Sequence, residues 1–263
     1  GDLLPEQFRG KVLHCDAGPG VLWAADGGAE GAGFAAEMVH LVESPTDKWF
    51  RPVDVAVAPD GSLFLSDWYD PVVGWNRQTD LGKGRIYRIA PKDHRYRVPD
   101  FDFKTAVGAT EALKSPTYSV RARAWQVLHG MEKKAVTALT RLAEDGESRY
   151  RARAYWLLAA LPKDGTGYVQ RALQDSDPNI RLIGLRSAAR FGHPLIPVLE
   201  VLIDDPSPSV RRECAVTLRR LPDDLVPVLW ARLAAQFDGE DRWYLEALGI
   251  GAEGRWDECL NAF

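Results

Sequence analysis

Two loops next to predicted strands bring together residue types that could hold a polar ligand. The segment Trp49-Phe50-Arg51-Pro52 enters one predicted strand, and Trp68-Tyr69-Asp70-Pro71 leaves the next. In an antiparallel pair, the loop entering the first strand and the loop leaving the second lie at the same edge of the sheet. Asp16, at the end of an earlier predicted strand, points to this edge. Carboxylates, an arginine and aromatic rings suit a polar, polyhydroxylated or quinone-like ligand.

The connection from residue 69 to residue 84 is long for a hairpin. Loops of this length are usually functional or disordered. Its polar and aromatic residues extend the candidate site, and they are Asp70, Trp75, Asn76, Arg77, Asp80 and Lys83.

Each of these residues also has a structural interpretation. Asp67 can cap its strand by accepting hydrogen bonds from loop amides. Arg51 can pair with Asp54 or Asp67, and Trp68 can pack on the edge of the sheet. Asp60-Gly61 after a proline is typical of a simple turn. Because the sequence contains no Ser/His/Asp set, P-loop or HExxH motif, catalytic residues are left unassigned.

The composition is that of a globular protein of about two domains. The chain has 263 residues, of which 46% are hydrophobic and 27% charged, and a typical domain has about 150 residues. A formal net charge of −4 argues against nucleic-acid binding, which needs a basic face. No stretch approaches the ~18 apolar residues that cross a bilayer, so no transmembrane segment is predicted in this chain. The three cysteines form no CxxC pair and no CxxCH haem-attachment motif.

The first half of the chain is predicted to form short β-strands. The runs of alternating apolar and polar residues cover 10–16, 20–25, 34–43, 52–58, 61–67 and 84–89, with a glycine-rich turn over Gly27–Gly33. Gly10–Asp16 aligns with Gly61–Asp67, and four-stranded propeller blades repeat at a comparable interval of about 40–50 residues. We therefore expect about two incomplete blades, the tail of a longer β-propeller. The alternative is a small sheet packed against the second half.

The second half repeats with a cleaner period. Arg121, Arg151, Arg181 and Arg211 recur at equal spacing, and Arg242 follows one position beyond the next step of the series. The residues one before, three after and seven after each arginine share one helical face and are mostly apolar. Partner helices are predicted over 132–143, 166–174, 194–203 and 223–236. Because each helix pair has an apolar stripe that it cannot bury alone, the pattern predicts an α-solenoid.

These helix pairs resemble HEAT repeats, in which an Asp and an Arg bond between neighbouring units. An aspartate precedes three of the arginines at the same distance, while Ser115 and Gln236 stand there in the first and fifth units, as expected of atypical terminal repeats. The resemblance implies a structural ladder, and the alternative role of the arginines is anion or partner binding. The predicted ladder comprises Asp145, Arg151, Asp175, Arg181, Asp205 and Arg211.

The predicted fold class is therefore α+β in two domains. Residues 1–98 are expected to form the partial β-propeller and residues 99–114 a linker. Residues 115–263 are expected to form the HEAT-repeat α-solenoid. The arginine spacing divides this solenoid into about five units of roughly 30 residues each, a period typical of repeat proteins.

Segments of the first half also resemble a known family. Trp49–Pro71 and Asp80–Ile89 are similar to the propeller end of planctomycete-type membrane-bound dehydrogenases, whose propellers are related to quinoprotein glucose and sorbosone dehydrogenases. Gly1–Gly10, Cys15–Pro19 and Val98–Phe103 fit the same family. Its members have a propeller, then HEAT repeats, and in many cases a c-type cytochrome module.

The family resemblance implies a chemistry for the loop residues. It implies oxidation of a sugar or alcohol with pyrroloquinoline quinone and calcium in the full-length protein. Arg51 would be the anion partner and Trp68 a stacking plate, with Asp54 lining the site. Asp67 and Asp70 would accept hydrogen bonds from hydroxyls or ligate calcium. Because the general base would come from earlier blades, the isolated chain is expected to be inactive.

Three functions are implied, the first by the family resemblance and the others by the sequence patterns. The first is the C-terminal part of a periplasmic or cell-envelope dehydrogenase, whose partners are the remaining blades of the same polypeptide and a c-type cytochrome module. The second is a non-catalytic HEAT-repeat interaction module with a β cap, which binds a protein on its concave face. Exposed Trp156, Trp230 or Trp243 on that face would favour the second function. The third is a propeller that binds a glycan without redox chemistry.

Overall fold

The computed structural model has an α+β fold, with two small antiparallel sheets followed by a helical region. It describes residues 3–71, 82–144, 146–161, 163–222 and 224–263. The chain divides into two compact units. The β unit comprises Gly1–Gly28, Ala35–Asp102 and Lys114–Ala124. The helical unit comprises Ala29–Phe34, Phe103–Leu113 and Trp125–Phe263.

The first sheet contains β1 (Val12–Asp16), β2 (Val21–Glu30) and β3 (Gly33–Glu43) in that order. The predicted glycine-rich turn is shorter than expected, because β2 continues through Gly27 and Gly28. Glycine is disfavoured in strands, but pairing with β3 satisfies the backbone of this segment. The turn is left to Gly31 and Ala32, and the φ of Gly31 is +53°.

The second sheet contains β4 (Pro52–Val57), β5 (Leu63–Asp67) and β6 (Arg85–Ile89), all antiparallel. The hairpin predicted around Pro59-Asp60-Gly61 is present, with Val57 opposite Leu63. The two aligned sequence segments form β1 and β5, which have the same length and both end at an aspartate, so the internal repeat is also a repeat of structure. No closed propeller is formed by the described strands.

A small apolar core lies between the two sheets, with β1 against β4. Leu22, Phe50 and Leu65 are its buried centre, and Leu13 and Val55 pack around them. Other apolar side chains of the second sheet stay exposed, and Ile86 is the most open of them.

The helices follow the predicted period. Their bounds are α1 Ala106–Leu113, α2 Tyr118–Met131, α3 Val136–Glu144, α4 Ser148–Ala159, α5 Gly165–Leu173, α6 Pro178–Phe191, α7 Leu195–Leu202, α8 Pro208–Leu218, α9 Val226–Ala234, α10 Arg242–Gly251 and α11 Trp256–Ala262. The predicted helix 132–143 divides into a 3-10 turn, Glu132–Ala135, and α3. Glu132, the first residue of this 3-10 turn, adopts a φ of 46°, which interrupts the α-helical path after α2.

The helices form two layers. The helices with the spaced arginines pack in sequence, α4 on α6 and α6 on α8, α10 packs on α8, and the intervening helices pack on them. Val210, Cys214 and Leu218 of α8 are completely buried, as the predicted face requires. α6 and α8 begin at Pro178 and Pro208, where the missing amide hydrogen costs no helical bond. No helix among the described residues is long and apolar enough to span a membrane.

The last unit differs from the others in structure as well as in its arginine spacing. Arg242 is the first residue of α10, its side chain is 86% exposed, and it pairs with Glu246 on its own helix. Asp241, which occupies the next regular position of the series after Arg211, caps α10 by accepting a hydrogen bond from the Tyr244 amide at 3.1 Å. Its other carboxylate oxygen accepts the amide of Ala32 at 2.6 Å. Arg242 is therefore not a member of the arginine series.

Close packing between α8 and α10 predicts a strong difference between two glycines of α10. A Cβ on Gly251 would lie 2.6 Å from the Ala215 carbonyl oxygen, whereas a Cβ on Gly249 would make an ordinary contact of 3.9 Å with Trp256. We expect Gly251→Ala to lower the free energy of unfolding by about 1 to 3 kcal/mol. Gly249→Ala should be neutral or stabilising by up to about 1 kcal/mol. Urea unfolding of both variants checks this, and equal effects would contradict the close approach.

Candidate functional site

Asp67 is the centre of the edge where the predicted site residues lie. It is 2% exposed, at the end of β5. One carboxylate oxygen accepts the amide hydrogens of Arg51 at 2.7 Å and Tyr69 at 2.9 Å. The other accepts from Nε of Arg85 at 2.7 Å. Both oxygens are therefore engaged by groups of the protein itself.

Arg85 completes a compact group that we call the rim cluster, made of Asp47, Asp67, Tyr69, Arg85 and Tyr87. Arg85 Nη2 bonds Asp47 at 2.8 Å, and its guanidinium lies 4.0 Å from the centre of the Tyr69 ring. The Arg85 hydrogen bond lowers the pKa of Asp47, although burial opposes it. Charge pairing and cation–π contact hold this arginine in one place.

Register on β5 and β6 explains why Arg85 was missed from the sequence. Asp67 and Arg85 are directly opposite each other in the ladder. Opposite charges across a strand pair stabilise it. A long connection separates β5 from β6, and its length does not set the register, so the strand pattern did not predict this pairing. Trp75, Asn76, Arg77 and Asp80 of the predicted loop lie outside the described residues.

Arg51 is tied to the edge mainly through its backbone. Its amide donates to Asp67, and its side-chain Nη1 donates to the Phe50 carbonyl oxygen at 3.2 Å. Its Nε is buried without a hydrogen-bond partner among the residues that the structure describes. Gly20, with φ +71°, passes so close that a Cβ would lie 2.8 Å from the Phe50 carbonyl oxygen. The β1–β2 turn therefore closes over this arginine.

The remaining predicted site residues are more open. Trp68 is 54% exposed, and its indole nitrogen donates to Asp70 at 3.3 Å. Asp54 is exposed on β4, where it accepts the amide of Val55 at 2.8 Å. Tyr69, between Trp68 and Asp70, has a φ of 53°, a conformation rare for a tyrosine. The structure thus brings Arg51 to Asp67 and Trp68 to Asp70, and it leaves Asp54 apart.

The described residues give a metal ion little to bind. They include no group of three or more His, Cys, Asp or Glu side chains placed to hold one. Asp67 already accepts hydrogen bonds on both oxygens. Calcium at Asp67 and Asp70 stays a prediction, and it needs further oxygen ligands because this ion takes six to eight.

Asp60 has a larger role than the predicted turn. Its side chain is 2% exposed and accepts hydrogen bonds from the amide and hydroxyl of Ser62. Its second oxygen bonds Arg88 at 2.8 Å and His94 at 3.2 Å. Burial acts to raise the pKa of Asp60, but these hydrogen bonds outweigh it and hold the pKa at about 2.

The low pKa of Asp60 predicts a loss of stability in acid. Because the folded-state pKa lies below the usual 3.8, the stabilisation is complete above about pH 4 and is lost as the pH falls toward 2. The shift corresponds to about 2 kcal/mol. Urea unfolding measures the free energy of unfolding at pH 5 and at pH 2. Between these pH values it should fall by about 2 kcal/mol less for Asp60→Asn than for the unmodified chain. Parallel pH profiles for the two proteins would refute this assignment.

Arg181 and Asp205 join consecutive repeats of the helical unit. Arg181 Nε and Nη2 bond the two Asp205 oxygens at 2.6 and 2.7 Å, and the side chains are 12% and 4% exposed. Arg181 Nη1 also donates to the Asp175 carbonyl oxygen at 2.8 Å. This arginine therefore fastens its own interhelical turn and the turn of the next repeat.

Similar contacts occur at the preceding repeats. Arg151 pairs with Asp175, and Arg121 donates to the Ser115 carbonyl oxygen at 2.9 Å. The Ser115 hydroxyl accepts the amide two residues later at 3.2 Å, as the Asp205 carboxylate does at 2.8 Å. The serine therefore keeps the turn-capping role without the charge. Asp145 lies outside the described residues.

Arg211 ends the series differently. It bonds the Asp205 carbonyl oxygen at 2.7 Å, and its guanidinium lies 5.6 Å from the centre of the Tyr244 ring. Gln236 instead donates to the Ile203 carbonyl oxygen at 3.1 Å. A buried aromatic ring thus occupies the place of the next aspartate.

The three tryptophans of the predicted partner face have different surroundings. Trp230 is 4% exposed and donates to the Leu248 carbonyl oxygen at 2.8 Å, so it belongs to the core. Trp243 is 54% exposed. Trp156 is partly exposed and lines a groove on the helices that carry the arginine series.

Fold and geometry define a protein of helical repeats with a small β unit, and comparison with known families agrees. Residues 166–249 match the family of HEAT repeats, which confirms that part of the prediction. Residues 1–93 match a domain of unknown function, DUF7133. No curated protein matches the chain. HEAT repeats indicate a scaffold or interaction module, and neither family match is to a dehydrogenase.

Proposed function

We propose that this chain is a non-catalytic scaffold whose HEAT repeats bind a partner protein. The observation that carries the proposal is the bonded series Arg151–Asp175 and Arg181–Asp205, which fixes consecutive repeats in one register. Stacked repeats present an extended surface that suits protein binding.

The chemistry of the β unit supports a structural role there. Asp67 and Asp60 are buried carboxylates, and arginines and backbone amides bond the oxygens of each. A catalytic carboxylate would need an oxygen within reach of a substrate proton. These side chains instead stabilise the sheet edge and the β4–β5 turn.

Cross-linking of the full-length protein in its native cells tests the scaffold function. We expect cross-links from a reproducible partner protein to fall on α4 to α9 of the helical unit. The absence of any partner on these helices would overturn the proposal.

A second candidate is the C-terminal part of a quinoprotein-like dehydrogenase. It is supported by the structural repeat of β1 and β5, each ending in an aspartate that caps the amide two residues on. It is also supported by the buried Nε of Arg51, which suits an anion because it lacks a partner among the described residues. In this function the two sheets are blades of a propeller completed by further blades, and the protein works in the periplasm or cell envelope beside a c-type cytochrome module. The glycan-binding propeller shares these blades without the redox chemistry.

Dye reduction by the full-length protein with pyrroloquinoline quinone, calcium and a panel of aldoses tests the dehydrogenase function. Activity that Arg51→Gln removes and the exposed control Arg97→Gln keeps would establish it in place of the scaffold alone. No reduction across the panel would exclude it, and retained sugar binding without reduction would leave the glycan-binding alternative.

A further inference from the structure

A groove of about 340 Å³ runs between α6 and α8 of the helical unit. Its walls carry Arg186 and Arg190 from α6, Glu213 and Arg220 from α8 and the residues after it, and Trp156 from α4. Its volume lies in the range of clefts that hold a ligand or a short peptide segment.

The groove has an excess of positive charge. Arg186 and Glu213 neutralise each other across it, with a bond of 2.6 Å. Arg190 and Arg220 are exposed, and within the described ranges neither guanidinium has an acidic partner. The groove is therefore positively charged although the whole chain has a net charge of −4, and this local charge favours an anionic ligand.

The groove also offers apolar surface. The Trp156 ring is held edge-on by Phe191, with their centroids 5.4 Å apart, and Val216 lies along the same lining. Trp and Arg are the residues most enriched where protein interfaces gain their energy. A free phosphate or a nucleic-acid backbone would leave this apolar surface uncovered.

Spacing along α6 fits an extended peptide. Arg186 and Arg190 are one turn apart, about 6 Å along the helix axis. Alternate residues of an extended strand are about 6.6 Å apart. A peptide carboxylate bound to Arg190 therefore places the next alternate carboxylate beside Arg186, whose charge Glu213 neutralises, while the intervening side chains face Trp156 and Val216.

We propose that this groove binds an extended acidic segment of a partner protein, with Arg190 and Arg220 pairing its carboxylates. The inference rests on the proposed scaffold function and names the chemistry that the partner must present. Arg186 is neutralised by Glu213, which limits the number of carboxylates bound.

A fluorescein-labelled peptide of alternating glutamate and leucine is the probe, measured by anisotropy with the whole chain. We expect saturable binding that weakens as salt rises, because the contacts are ionic. Arg190→Glu with Arg220→Glu should weaken it by about tenfold or more. Arg242→Glu, an exposed arginine outside the groove, should leave the affinity unchanged.

A variant that binds more tightly shows that the changes in affinity come from this site and not from misfolding. Glu213→Gln frees Arg186, so the acidic peptide should bind several-fold tighter to this variant. The proposal is overturned if a glutamine–leucine peptide binds equally well, if the charge-reversed variant keeps its affinity, or if only single-stranded DNA or anionic vesicles bind. Cross-links elsewhere on the helices without peptide binding would remove this site and leave the scaffold function standing.

Discussion

Asp205→Ala is expected to lower the free energy of unfolding by about 3 to 5 kcal/mol. The substitution leaves the Arg181 guanidinium without its carboxylate partner, and this charge stays largely buried because the arginine side chain is only 12% exposed. It also removes the acceptor of the Ser207 amide, which Asp205 bonds at 2.8 Å. Urea unfolding followed by helical circular dichroism measures the loss.

Arg242→Ala is the matched control for that loss. Arg242 also belongs to an arginine–carboxylate pair, but its side chain is 86% exposed and its bond to Glu246 is 3.4 Å. Such surface pairs contribute about 0 to 1 kcal/mol. If Asp205→Ala costs no more than Arg242→Ala, the bonded arginine series does not stabilise the repeats.

Asp67→Ala is expected to cost about 3 kcal/mol and to loosen the sheet edge. The change removes one acceptor for two backbone amides and the buried charge opposite Arg85. The amides of Arg51 and Tyr69 should then exchange with deuterium faster than those of the β4–β5 ladder. Urea unfolding measures the loss of unfolding free energy, and hydrogen exchange shows which amides lose their protection.

Two further variants, one at Asp67 and one at an exposed aspartate, serve as comparisons for Asp67→Ala. Asp67→Asn keeps an oxygen for the two amides but loses the charge and the oxygen that accepts from Arg85, so it should cost about half as much as Asp67→Ala. Asp54→Ala removes an exposed carboxylate that accepts the amide of the next residue, and it should cost under about 0.5 kcal/mol. A similar loss for all three would show that Asp67 does not organise the edge.

The helical repeats could be predicted from the sequence because each helix is specified by residues close together in the chain. The predicted helices 166–174 and 194–203 agree with α5 and α7 to within a residue at each end. Apolar positions that recur with the helical period decide which face is buried, whatever the neighbouring helix is. Arg242, which follows the series with one extra residue, is exposed because it is the first residue of α10, whereas Arg181 and Arg211 are the fourth residues of α6 and α8.

The candidate site in the β unit was open to prediction only in part. Strand ends and turn residues located the edge that holds Arg51, Asp67 and Trp68. Sequence could not show whether Asp67 is free, because its partner Arg85 follows a long connection whose length does not set the strand register. For the same reason the partners of Asp60, Arg88 and His94, were not foreseen.

The amino-acid sequence by itself determined the element types, the repeat of strands in the first half and the regular repeat of helices in the second. These follow from side-chain periodicity and from turn residues that act over a few positions. The repeat also implied the structural role of Asp205, which pairs with Arg181. Only the tertiary structure decided which charged groups of the β unit are paired and which arginines face a groove. Pairing there depends on strand register, so Asp67 became a structural anchor, and helix packing placed Arg190 and Arg220 along the α6–α8 groove.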